Sequence, residues 1–170
     1  MSRPLIRVAR PEDDSVIGEL LINAYVTQYA RKMPEVVVDE NRKKDLRDVA
    51  GKRRIGTVLV AELDGKVVGS VTLLKPGAPR SEAWREQMAD LRMFGIDLNY
   101  RGQGIADALL DEAERIVRED WKCPTLGLHV RRGAHGVAGV YIKRGFQRDP
   151  SGDLDKLPEI FLEAYVKTLL

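Results

Sequence analysis

The residues best suited to chemistry form a glycine-containing loop that joins a predicted strand to a strongly amphipathic helix. The loop and the first helical residues are Arg101-Gly102-Gln103-Gly104-Ile105-Ala106. Glycine lets the backbone turn sharply, and the N–H groups at the start of a helix have no acceptor within that helix, so they can bind an anion. The loop therefore predicts a site suited to a pyrophosphate, with a capped helix that binds nothing as the alternative.

Two common phosphate-binding loops do not match this segment. A P-loop requires a lysine and a hydroxyl residue after its last glycine, whereas Ile105 and Ala106 follow Gly104. A dinucleotide-binding fingerprint requires a third small residue where Asp107 stands, and it belongs to a first strand–helix–strand unit. Both of these loop types are therefore excluded.

The elements that must position the loop follow from hydrophobic periodicity. Helices are predicted after Pro11, from Asp39 to Val49, after Gly104, and through Tyr141 to a stop at Gly145. Short apolar runs predict strands at Leu5–Ala9, at Thr125–Val130, from Phe146, and at Ile160–Val166. The order of elements indicates a mixed sheet with a late strand–helix–strand crossover.

Two strand features are more specific. Thr57 to Leu74 is expected to form an antiparallel hairpin, because Asp64-Gly65 lies between two apolar runs and suits a two-residue turn. In the strand from Ala89 to Leu98 the apolar residues change phase, which predicts a β-bulge near Met93-Phe94. A strand buried on both faces is the alternative.

Composition limits the class of protein. A chain of 170 residues with a formal charge of +2 suits a single domain over residues 1–170 and gives no reason to expect a nucleic-acid partner. Cys123 is the only cysteine, and His129 and His135 are the only histidines, so neither a disulfide nor a metal site is expected. No apolar run is long enough to cross a bilayer, and residues 1–7 lack the apolar core of a secretory signal. A cytoplasmic protein without a membrane partner is therefore expected.

Residues 90–106 and 138–146 resemble two motifs of the GNAT superfamily of acyl-CoA N-acyltransferases. The first is similar to motif A, whose Arg/Gln-x-x-Gly-x-Gly/Ala is met by Arg101, Gly104 and Ala106. The second is similar to motif B, which ends in Tyr-x-x-x-Gly-Phe. With the order of elements, the resemblance implies an α/β (α+β) fold. Its sheet would be mixed, largely antiparallel and six- to seven-stranded, flanked by about four helices and splayed at a β-bulge near residues 93–95.

The resemblance also implies an enzyme that transfers an acetyl group from acetyl-CoA directly to a primary amine. The backbone of Phe94, Gly95 and Ile96 would bind the pantetheine arm, and Tyr141 would place its hydroxyl near the thioester sulfur. The loop residues that would hold the pyrophosphate are Arg101, Gly102, Gln103, Gly104, Ile105, Ala106 and Asp107. His135 stands where the family often has asparagine. Three roles are open for it: a cofactor contact, a base, or a residue that starts the helix.

Direct acetyl transfer needs an oxyanion donor, an acid for the departing thiolate and a base for the amine. The N–H of Ile96 is the candidate donor and Tyr141 the candidate acid, with a core tyrosine as its structural alternative. Asp90 and His129 are equal candidates for the base, because an ordinary aspartate pKa of about 3.9 is low for the task while histidine titrates nearer neutrality. A hydrogen-bonded strand histidine is the alternative for His129. Cys123 is favoured as a structural thiol over a nucleophile.

The acceptor is expected to be the amine of a small molecule or a peptide, bound where the sequence is least regular, at residues 25–45 and 149–158. Acidic residues there would attract a cation or form a solvated surface: Glu35, Asp39, Glu40, Asp149, Asp153 and Asp155. The basic pairs Arg131-Arg132 and Lys143-Arg144 would meet the ribose phosphate or be solvated. A homodimer is compatible with the final strands. The alternatives to an enzyme are a non-catalytic acyl-CoA-binding regulatory module and, less favoured, an RNA- or protein-binding domain.

Overall fold

The chain contains both strands and helices, as its hydrophobic periodicity predicts. The structure is a computed structural model that describes residues 3–27, 31–35 and 37–170. The strands are β1 Leu5–Val8, β2 Thr57–Leu63, β3 Lys66–Leu74, β4 Met88–Ile96, β5 Thr125–Arg131, β6 Gln147–Arg148, β7 Leu154–Lys156 and β8 Ile160–Thr168. The α-helices whose bounds both lie within the described residues are α1 Asp14–Ile22, α2 Glu40–Arg47, α3 Val49–Ile55, α4 Ile105–Arg115 and α5 His135–Lys143.

The strands form one eight-stranded sheet in the order β1-β2-β3-β4-β5-β8-β6, with β7 paired to β8. β4 and β5 are parallel, as a crossover through α4 requires, while the pairs β1–β2, β2–β3, β5–β8, β6–β8 and β7–β8 are antiparallel. The predicted mixed, largely antiparallel sheet is confirmed.

The chain divides into two compact units. The first comprises Met1–Leu73 and Met93–Ala113. Here α1 packs against α2 and α3, and α3 packs against β2. The apolar core includes Ile17, Leu21, Leu46, Val49, Val58, Val60 and Met93.

The second unit comprises Leu74–Arg92 and Glu114–Leu170. Its centre is β5, which pairs with the start of β4 on one side and along its whole length with β8 on the other. The buried apolar side chains include Met88, Leu126, Leu128, Val130, Phe146 and Tyr165. The two units thus divide β4 after Arg92 and α4 after Ala113.

Turn residues behave largely as the sequence indicates. Asp64 and Gly65 have φ angles of 51° and 79°, so the predicted hairpin turn is present. Met93 has a φ of 53° within β4, which is the backbone irregularity expected near residues 93–95. A left-handed conformation costs a side-chain-bearing residue about 1–2 kcal/mol, and burial of the Met93 side chain opposes that cost.

Two element predictions were wrong in detail. The helix that begins after Asp39 ends before Asp48, because Asp48 leaves helical geometry and its carboxylate caps a separate helix by accepting the N–H of Gly51. The loop from residue 149 to 158 contains the short strand β7, which the sequence did not indicate because its three residues are too few for an alternating pattern. The sheet therefore has eight strands rather than six to seven.

Candidate active site

In the first unit, the glycine loop leads directly into α4. Gly102 and Gly104 have φ angles of 75° and 77°, and apart from each glycine and its two chain neighbours no heavy atom of the described residues lies within 4 Å of a Cβ built at either position. The carbonyl of Gly104 accepts the N–H of Ala108 at 3.1 Å, so α4 begins at the end of the loop. The N–H groups of the first turn have no acceptor within the helix, and the positive end of the helix dipole lies beside them. The loop can therefore hold an anion through its backbone.

The residues predicted to hold the pyrophosphate all lie at the start of α4, but they differ in which groups a ligand could contact. The residues of the loop itself, 101–104, are exposed, whereas the side chain of Ile105 is 2% exposed and belongs to the core. Ile105 therefore has only its backbone N–H to offer a ligand, while Asp107 is exposed on the first helical turn.

The end of β4 meets the start of α4 at Gly69 on β3. A Cβ on Gly69 would lie 3.0 Å from Ile96 Cδ1 and 3.1 Å from Ile105 Cγ2, so the missing side chain lets this strand and helix approach. Gly95 is buried against α1, where a Cβ would lie 3.1 Å from Leu20 Cδ2. The predicted pantetheine-binding segment 94–96 and the predicted pyrophosphate loop are therefore brought together within the first unit.

In the second unit, Asp90 is a buried carboxylate on β4 with 1% of its surface exposed. Its Oδ2 accepts the N–H of Glu82 at 2.8 Å. Burial raises the pKa of Asp90 to about 6, although the hydrogen bond from Glu82 and the charge of Arg92 act in the opposite direction. A carboxyl group with that pKa is a better base near neutral pH than an ordinary aspartate.

His129 lies on β5, two residues beyond Gly127, which is the register partner of Asp90. Its Nε2 lies 2.7 Å from the carbonyl oxygen of Gly152, so this nitrogen carries the proton and donates. Burial lowers the pKa of His129, against the effect of that hydrogen bond. The contact fits the interpretation of a hydrogen-bonded strand histidine, and Nδ1 is the nitrogen that would act as a base.

A tryptophan that the sequence did not single out lies at the centre of this region. The ring of Trp84 would lie 2.2 Å from a Cβ on Gly152 and 3.0 Å from one on Gly127, where Sδ of Met88 would be closer still at 2.5 Å, so the ring lies against both glycines. Its edge packs against His129 with ring centroids 5.2 Å apart, and its Nε1 donates to Asp149 at 2.8 Å. We call Trp84, Gly127 and Gly152 the tryptophan socket. The only local feature of the sequence that could have indicated this packing is the tryptophan itself, which stands in a polar connecting loop just before a strand.

Tyr141 is buried on α5, with 4% of its surface exposed. Its ring packs edge-on against Phe146 at 5.6 Å, and its carbonyl accepts the N–H groups of Arg144 and Phe146 at 3.0 and 3.1 Å. Gly145 has a φ of 96°, as a residue just past a helix end often does. His135 is the first residue of the same helix and is exposed.

Several of the charged residues considered for ligand contacts have partners within the chain. Asp149 accepts from Trp84 and Arg85, Asp153 forms two hydrogen bonds of 2.7 Å with Arg148, and Asp39 caps α2. Among the basic pairs, Arg132 lies 3.5 Å above the ring of Phe161 and Arg144 binds Glu114. These contacts favour structural roles. Residues 28–30 and 36, within the predicted acceptor region 25–45, lie outside the described residues.

Three observations bear on other classes of site. Cys123 is buried, and its thiol lies within hydrogen-bond distance of the carbonyls of Gln87 and Thr125, as expected of a structural residue. In the described part of the chain, no three His, Cys, Asp or Glu side chains are grouped so that they could hold a metal ion. No helix there combines the length and apolar character needed to span a membrane.

Comparison with known proteins agrees with this geometry. Residues 16–146 match the Acetyltransferase (GNAT) family, and the chain belongs to that family. An acetyltransferase of Yersinia pestis (strain Pestoides F) is 34% identical over 91 residues, which are 52% of this chain and 56% of the relative. The match therefore spans about half the length of such curated relatives.

Solved structures share the fold over almost the whole chain. A GNAT-family acetyltransferase of Staphylococcus aureus MU50 has a TM-score of 0.75 at 17% identity and covers 98% of this chain and 99% of its own. The PaiA N-acetyltransferase of Thermoplasma acidophilum, solved in complex with coenzyme A, has a TM-score of 0.70 at 20% identity, with coverage of 96% and 98%. The eight-stranded fold is therefore that of the GNAT family.

Proposed function

We propose that this protein is an N-acetyltransferase that transfers an acetyl group from acetyl-CoA to a primary amine. The observation that carries the proposal is the open glycine loop at the start of α4, in a chain that belongs to the GNAT family. The open space beside Gly102 and Gly104 fits close approach of a pyrophosphate to the backbone. The coenzyme A held by the Thermoplasma acidophilum neighbour supports the choice of ligand. The family match includes parts of both compact units, which supports one domain over residues 1–170.

The proposed binding roles are backbone roles. The N–H groups of residues 102–107 would bind the pyrophosphate, with Arg101 beside them, and the backbone of Phe94, Gly95 and Ile96 would bind the pantetheine arm. The left-handed φ of Met93 supports this, because a backbone irregularity of that kind just before these residues is typical of a β-bulge, where ladder pairing is locally disrupted. His135 stands exposed at the start of α5, which leaves its side chain accessible to a cofactor.

Acetyl-CoA would supply the thioester whose carbonyl carbon is attacked. The amine nitrogen forms the new C–N bond, the C–S bond breaks, and the N–H of Ile96 would stabilise the oxyanion between these steps. Tyr141 would give its phenolic proton to the departing thiolate. Asp90 is the preferred base for the amine proton because its pKa is raised to about 6 by burial, whereas Nε2 of His129 is already committed to Gly152. His129 remains the second candidate through Nδ1.

Calorimetric titration with acetyl-CoA, beside a matched titration with adenosine diphosphate, tests the binding half of the proposal. One-site binding that is much tighter for acetyl-CoA supports it. Failure to bind at millimolar acetyl-CoA would contradict both the enzyme and the regulatory module.

The Tyr141→Phe variant tests the catalytic half. We expect turnover to fall by about 100-fold, because the acid is lost, while the affinity for acetyl-CoA stays within twofold. Turnover is measured as thiol release with a panel of amines: a polyamine, an amino acid, an aminoglycoside and a short peptide. Tyr165→Phe, at a buried tyrosine on β8, is the matched control and should change neither quantity. Binding without turnover of any amine would favour the regulatory module.

A further inference from the structure

We propose that Glu114 is a positioning residue that fixes Tyr141 for acid catalysis by anchoring the end of α5. The inference rests on the proposed role of Tyr141 and extends it to a residue that is neither part of the predicted cofactor loop nor a candidate base. Its basis is a buried ion cluster in the second unit, formed by Glu114, Arg144 and Lys167.

The Glu114 carboxylate is 6% exposed and both of its oxygens are paired. Oε2 accepts from Nε and Nη2 of Arg144 at 3.0 and 2.9 Å, and Oε1 accepts from Nζ of Lys167 at 2.6 Å. A buried carboxylate is costly unless such partners satisfy it, and removal of one partner leaves the others uncompensated. The cluster therefore holds Arg144 and Lys167 in fixed positions.

Each of the two cations reaches Tyr141 through one further contact. The backbone N–H of Arg144 donates to the carbonyl of Tyr141, so the anchored side chain also fixes the last turn of α5. Lys167 Nζ lies 5.8 Å from the centre of the Phe146 ring, and that ring packs edge-on against Tyr141. One carboxylate thus supports both the backbone and the ring of the tyrosine.

The cluster also gives Arg144 a role other than binding a phosphate of the cofactor. Both the Nε and the Nη2 groups of Arg144 are directed at Glu114, and its side chain is 15% exposed. A positioning role predicts a loss in kcat, because displacement of a catalytic group by about 1 Å can reduce the rate up to ~100-fold. A phosphate-binding role predicts a loss in KM.

The test compares Glu114→Gln with Glu119→Gln, an exposed glutamate of the following turn that pairs with Arg115. We expect Glu114→Gln to lower kcat about tenfold with KM for acetyl-CoA within twofold, and Glu114→Asp to restore part of kcat. The control should match wild type. In the Tyr141→Phe background, Glu114→Gln should cause no further loss, because both substitutions act on one group. Additive losses, or a change confined to KM, would overturn the inference.

A readout that is independent of activity is the NMR resonance of Tyr141 in tyrosine-labelled protein, assigned by its absence in Tyr141→Phe. It should shift in Glu114→Gln and in Arg144→Lys, which keeps the charge but loses the two-point contact, and not in Glu119→Gln. If Glu114→Gln does not fold, Arg144→Lys carries the same test. If the wild-type protein acetylates no amine, the proposed function fails, and this resonance alone decides whether Glu114 fixes Tyr141; an unmoved resonance would overturn the inference.

Discussion

Two pairs of glycines leave space for different occupants. Gly102 and Gly104 have left-handed backbone conformations, and within the described residues nothing approaches the position of a Cβ at either one. Gly127 and Gly152 have no left-handed φ, and the ring of Trp84 occupies the space that a side chain at Gly152 would take and, together with Met88, the space at Gly127. The first pair keeps the backbone accessible to something outside the chain, whereas the second accommodates a side chain of the protein itself. Substitution of Gly102 or Gly104 should therefore weaken ligand binding, whereas substitution of Gly127 or Gly152 should lower the stability of the fold.

The largest effect is expected for Gly104→Val. A β-branched residue is strained at a φ of 77°, and its side chain would occupy the open space beside the loop. Loss of two hydrogen bonds to a charged pyrophosphate, at about 2 kcal/mol each, should weaken acetyl-CoA binding by ~1,000-fold. Calorimetric titration of the variant measures this change.

Gly77→Val is the matched control for Gly104→Val. Gly77 has a φ of 79°, and a Cβ there also meets no heavy atom of the described residues within 4 Å. Both variants should lose similar stability from backbone strain, but only Gly104→Val should lose binding. Equal losses of binding would mean that strain, rather than the anion site, explains the effect.

Gly152→Ala comes next and acts on stability. Its Cβ would fall 2.2 Å from Trp84 Cδ2, and the ring also lies against Gly127 and donates a hydrogen bond to Asp149, which limits how far it can shift. Overpacking of this kind should lower the free energy of unfolding by about 3 kcal/mol, measured by urea denaturation.

The Trp84→Ala background provides the control for the tryptophan socket. With the ring removed, Gly152→Ala should lose most of its cost, because the three nearest heavy atoms to the added Cβ all belong to the Trp84 ring. A cost that persists without Trp84 would show that the backbone at residue 152, rather than the socket, requires glycine.

The same contrast explains what the sequence could and could not indicate. The glycine loop occupies consecutive residues, so turn chemistry, helix start and anion site could all be inferred locally. The hairpin turn at Asp64-Gly65 was predictable for the same reason. The tryptophan socket joins residues 84, 127 and 152, which are far apart in the chain, and no local sequence pattern predicts their contact.

Asp90 shows how the same limit applies to chemistry. Its position on β4 could be inferred, but the sequence supports only an ordinary aspartate pKa, which made it a poor base. In the folded protein its carboxylate is buried and accepts the N–H of Glu82, and the burial outweighs that hydrogen bond and raises the pKa. Local sequence thus predicted the candidate residue, and tertiary structure determines its suitability.

The smallest effect is a pH-dependent change in stability for Asp90→Asn. The folded pKa of Asp90 is about 6 against an ordinary value of 3.8, so the stability linked to this group is present at low pH and is lost as the pH rises through 6. Asparagine does not titrate. Between pH 5 and pH 8 the wild-type protein should therefore lose about 1.4 kcal/mol of its free energy of unfolding through Asp90, and the variant should not. Urea denaturation at both pH values measures the difference.

His129→Gln sharpens that test because its expected change in stability with pH is opposite to that of Asp90→Asn. Burial lowers the pKa of His129, so wild-type protein loses stability as the pH falls below the ordinary value of 6.5, where the unfolded chain takes up the proton more readily. Glutamine does not titrate and so removes this loss. The variant should therefore be more stable relative to wild type at low pH than at high pH. If both variants change in the same direction between pH 5 and pH 8, the opposite pKa shifts of the two candidate bases are wrong, and with them the preference for Asp90.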